Sequence, residues 1–224
     1  MHTKEIKHTL NFKHTKQTFM NLLDLLQNQM TDGMVDQLSQ QLGGADKEST
    51  AKAANGIMST LVGALAKNAS TTEGANSLAG ALDRDHDGSI LDDVMGLIGG
   101  SAQGTTEKTT NGTGILKHIL GGKQNGAVNM ISQMSGLDSG QTGNLMSMLA
   151  PMVMGALGQQ KKQQGLDAGG ILSLLSGTVT QQKETSPLMG LATQFLDQDG
   201  DGSMVDDVAE MGMKFLGGLF GGKK

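Results

Sequence analysis

Apolar residues recur along this chain at the spacing of helix faces. Leu22, Leu23, Leu25 and Leu26 open a short apolar segment. Met34, Val35, Leu38 and Leu42 follow at helical intervals until Gly43 and Gly44 stop them. Asp46 offers an N-cap to the next helix, on which Ala53, Ile57, Leu61, Ala64 and Leu65 form one stripe. A shorter helix is expected over Glu73–Leu82. In the second half, a helix starting near Asp138 carries Leu145, Met148, Leu149, Met152, Val153, Ala156 and Leu157. It is apolar on most sides, which predicts burial, and Pro151 predicts a kink. Runs of alternating β-branched residues are missing, so the pattern predicts an all-α, multihelical fold.

The pattern also repeats. Leu42-Gly-Gly44-Ala-Asp46 matches Met134-Ser-Gly136-Leu-Asp138, and Leu61-Val-Gly63-Ala-Leu65 matches Val153-Met-Gly155-Ala-Leu157, both at an offset of 92 residues. Two acidic stretches, Asp83–Asp93 and Asp197–Asp207, match at an offset of 114. The difference implies about 22 inserted residues in the second copy, with Thr178–Ser186 part of them. The expected organisation is a basic, polar extension over 1–19, disordered, then a first helical unit over 20–100 ending in the acidic loop 83–93. A polar linker over 101–111 leads to a second unit over 112–222, which ends in the loop 197–207.

Ten of the chain's 22 acidic residues lie in these two loops, where like charges repel at about 1 kcal/mol per close pair even in water. A hard divalent cation would offset that cost. An EF-hand loop uses side-chain oxygens at its first, third and fifth positions, a glycine at the sixth and a carbonyl at the seventh. Asp83, Asp85, Asp87, Gly88 and Ser89 meet these requirements, as do Asp197, Asp199, Asp201, Gly202 and Ser203. The usual twelfth-position Glu is replaced by Val94 and Val208. Ser89 with Asp92, and Ser203 with Asp206, have capping-box spacing, which leaves Asp93 and Asp207 to close each cage. The expected metal ligands are therefore Asp83, Asp85, Asp87, Ser89 and Asp93 in the first loop, and Asp197, Asp199, Asp201, Ser203 and Asp207 in the second. Carboxylate-rich, all-oxygen cages favour calcium, with magnesium as the other candidate.

Composition removes other chemistries. A net charge of −5 argues against nucleic acid as a partner, as does the absence of Trp and Tyr. With no Cys, disulfides and thiolate sites are excluded. The 34 Gly and 16 Met suit closely packed helices, or helical surfaces that meet a protein partner or a second copy of the chain. No stretch reaches the ~20 apolar residues of a membrane span, and residues 1–19 do not read as a secretory signal. The expectation is a cytoplasmic protein. The segment Met211–Lys224 could lie on a membrane surface, although core packing of a last helix is the better reading.

Asp85-His-Asp-Gly-Ser89 and Asp199-Gly-Asp-Gly-Ser203 also have the spacing of the haloacid-dehalogenase phosphatase nucleophile. That motif ends a hydrophobic parallel strand, whereas the residues here continue helical patterns. His86 reads as a solvent-facing loop residue and His118 as a partly exposed helix residue.

The Leu-Leu start, the Gly-Gly before a capped helix and the Gly-Ala-Leu near that helix's end resemble the YidB-like family of bacterial proteins of unknown function, over most of residues 20–210 in two copies. The resemblance implies a small multihelical fold and supplies no activity. The function expected is non-enzymatic: divalent-cation binding at two EF-hand-like loops, stabilising or coupling to helix packing and partner binding. The alternative is a structural, self-associating helical protein without bound ion. A phosphatase-like hydrolase is the remote one.

Overall fold

The computed structural model describes residues 22–93, 96, 98–99 and 110–196, without the side chains of 92, 93, 183–185 and 193. Everything regular among them is helical, as the periodicity predicts. The expectations that fall on the extension 1–19, on most of the linker, on the second acidic loop and on Met211–Lys224 lie outside the described residues.

Local signals place the helix ends. Helix α1 covers Leu22–Gln29, and α2 covers Asp32–Gln41 with Thr31 as N-cap. Gly43 and Gly44, both at positive φ, carry the chain out of α2. Helix α3 covers Lys47–Asn68, and the Asp46 carboxylate accepts from the Ser49 N–H at 2.8 Å. Helix α4 covers Thr72–Asp85 and is followed by a 3-10 turn over Ser89–Asp93. In the second half, α5 covers Gly112–Leu120 and α6 covers Gln124–Ser135. Helix α7 covers Ser139–Gln164. There Asp138 and Gln141 form a full capping box, and the Gln141 side chain also donates to the Leu42 carbonyl at 3.1 Å. Helix α8 covers Ala168–Thr185 and α9 covers Pro187–Leu196. The Thr178–Ser186 stretch assigned to an insertion thus falls at the end of α8.

Helices α3 and α7 form the centre, packed on each other. Every residue of α3 from Ala53 to Leu65 is buried except the half-buried Asn55, and α7 is buried without a break from Leu149 to Gly158. The shorter helices surround this pair, each turning an apolar face inward. Leu22, Leu23 and Leu26 of α1, Leu116 of α5, Ile131 of α6 and Ile171 of α8 all reach the same continuous core.

Helix α7 runs unbroken through Pro151. Proline has no N–H to give to the carbonyl four residues back, that of Ser147. Gly112, the first residue of α5, lies so close to this carbonyl that a Cβ there would collide with it.

Candidate functional site

The first acidic loop is held against the end of α7. Helix α4 does not stop at Leu82 but continues through Asp83, Arg84 and Asp85, with His86 as C-cap donating its N–H to the Leu82 carbonyl at 3.3 Å. The Asp87 carboxylate then accepts from the Ser89 N–H at 3.1 Å, so Asp87 organises the turn where the spacing predicts a Ser89–Asp92 capping box. Gly88 adopts φ +95°, a conformation costly for residues with a Cβ. A Cβ at Gly88 would also sit 2.8 Å from the Gln159 Cβ.

On α7, Gly155 and Gly158 are three residues apart and therefore share a face. Together they form a notch. The Ile90 side chain fills it over Gly155, and the His86 carbonyl lies where a side chain of residue 158 would have to go. Ile90 and His86 are both buried as a result. The expectation that His86 faces solvent is thus corrected: the loop turns toward α7, and the notch admits its backbone.

Lysines at the end of α7 meet the carboxylates. Lys161 forms an ion pair with Asp83, and Lys162 Nζ lies 3.8 Å from Asp87. The Ser89 hydrogen bonds, helped by Lys162, hold the Asp87 carboxyl below the usual range. Burial pushes His86 below its ordinary value, and the Asp85 charge opposes this only in part. The His86 Nδ1 is buried without a hydrogen-bond partner.

Of the expected ligands of the first loop, the side chains of Asp83, Asp85, Asp87 and Ser89 are described, and the three aspartates do not form a group that could hold a metal ion. Asp83 and Asp85 belong to one helical turn and project about 200° apart around its axis. Among the described residues, no three His, Asp or Glu side chains gather into a cation cage. The side chain of Asp93 lies outside the described residues, as do Asp197, Asp199, Asp201, Ser203 and Asp207. The approach to the second loop is described, and there too lysines close the helix end. Lys67 and Lys123 donate to the Leu196 carbonyl at 2.7 and 2.9 Å, a favourable position for cations at the C-terminus of α9.

Sequence reasoning missed the partners of the loop. Lys161 lies 78 residues beyond Asp83, and its signal was the basic pair ending a long apolar helix. Gly158 carried no signal, because only the fold brings it to His86.

Fold and loop together define a class: among the described residues, an all-α protein whose acidic loop packs on the end of its longest helix. The chain belongs to the family described as bacterial proteins of unknown function (DUF937), whose pattern matches residues 24–160. The match runs in one stretch from α1 into α7, across the linker. No curated protein and no solved structure matches the chain. No described helix is long and apolar enough to cross a membrane.

Proposed function

We propose that this is a non-enzymatic helical protein in which the acidic loop after α4 is a clasp on α7 for which divalent cations, calcium before magnesium, compete with lysine. The observation that carries the reading is the pairing of Asp83 with Lys161 and the approach of Lys162 to Asp87. Without a cation, the ammonium groups offset the crowding of the carboxylates. For Asp83, Asp85 and Asp87 to share one ion, the last turn of α4 would have to unwind. Cation binding would thereby move the helix end and loosen the loop from α7. A second reading keeps the loop permanently lysine-bound, with the protein acting through its helical surfaces; the tight seating of His86 and Ile90 against Gly158 and Gly155 favours it.

Calorimetric titration of calcium and magnesium into metal-free protein separates the two. The clasp reading expects saturable calcium heat that strengthens in a Lys161→Met, Lys162→Met variant, since the competing charges are gone. No heat in either protein would leave the permanently lysine-bound loop as the better account.

A further inference from the structure

Beside His86, a cleft of about 730 Å³ opens between the end of α3, the length of α4 and α5. Its size falls within the range of small-molecule sites, roughly 300–1,000 Å³. Leu65, Leu78, Ile115 and Met154 give it an apolar floor. Arg84 and His118, both exposed, stand among its polar lining, and Arg84 makes no ion pair among the described residues. His86 lines the same cleft with only 6% of its surface exposed and its Nδ1 unpartnered.

We propose that this cleft binds a small amphiphilic carboxylate with an apolar body and a hydroxyl group. An apolar floor calls for an aliphatic body. A guanidinium that no described carboxylate engages matches a carboxylate in bidentate geometry, which favours an anion over an amine. A buried imidazole nitrogen left unpaired is costly, and a hydroxyl satisfies it in either tautomer because it both donates and accepts. Asp85 also lines the cleft, and a hydroxyl can donate to it. The proposal needs neither a cation nor movement of the loop, but Arg84, Asp85 and His86 belong to the turn that the clasp would unwind, so binding is measured on metal-free protein.

The test uses the full chain and 3-hydroxydecanoate, decanoate and decylamine as probes, each below its micelle concentration, by calorimetry. Saturable 1:1 binding in the order 3-hydroxydecanoate, decanoate, decylamine is expected. Arg84→Gln should weaken the two acids by about tenfold or more, the scale of a lost charge-assisted pair. Ser77→Trp, at an exposed position on the cleft, should block all three while leaving the melting temperature unchanged. Equal binding of the amine, indifference to Arg84→Gln, or no binding of any probe would overturn the proposal.

Discussion

At the scale of single residues, the closest approach among the described glycines is that of Gly158 to the His86 carbonyl. Its neighbours there are backbone and cannot swing aside. Gly158→Ala should therefore displace the loop and cost about 1–3 kcal/mol, the usual scale of overpacking. Gly143, on the same helix with open space around it, provides the control, and Gly143→Ala should be neutral or slightly stabilising. Denaturant unfolding of both variants checks the contrast; equal effects would mean that the notch is not a tight contact. None of this was legible in the sequence. A glycine in a helix reads only as a weakness of that helix, and a histidine between two aspartates reads as solvated. The carbonyl that meets Gly158 becomes a constraint only once α4 and α7 are side by side.

At the scale of elements, much more was legible, because caps and stops act locally. Asp46 and Asp138 cap α3 and α7 as their positions suggest, and Gly43 and Gly44 end the α2 segment. The end of α4 was not legible. Two aspartates in a last turn oppose the helix dipole, so stopping at Leu82 is the natural local expectation. Lys161, from α7, supplies the charge that lets the turn continue. The Asp46 cap makes a pH prediction. Its hydrogen bonds to Ser49 hold its carboxyl below the ordinary 3.8. A carboxyl lowered in the folded state contributes stability above the unfolded value, and that contribution is lost as pH falls through the folded value. Asp46→Asn, which keeps a capping oxygen without the charge, should flatten the melting-temperature profile below about pH 4 relative to the parent. Parallel profiles for the two proteins would argue that the cap does not titrate in this window.

At the scale of the whole molecule, the two halves cover each other's long helices. Gly63 and Gly155 correspond in the sequence, and each receives a side chain from the other half: Leu196 of α9 lies against Gly63, and Ile90 of the first loop against Gly155. The end of each half thus packs on the long helix of the other, α9 on α3 and the first loop on α7. The sequence suggested a repeat but not this exchange of ends, since a repeated pattern says nothing about which half covers which. The exchange predicts that neither half is self-sufficient. A fragment of residues 20–105 would leave Ile90 without its notch and Gly63 without Leu196, and would also expose the face of α3 that packs on α7. It should show low helicity by circular dichroism and bind a dye specific for exposed apolar surface. Mixed with a fragment of residues 106–224, it should regain helicity in a 1:1 complex, because the packing each fragment lacks is the packing between the halves. A first fragment that melts cooperatively alone would show instead that each unit closes its own core, and the close approaches at Gly63 and Gly155 would then be docking between finished domains.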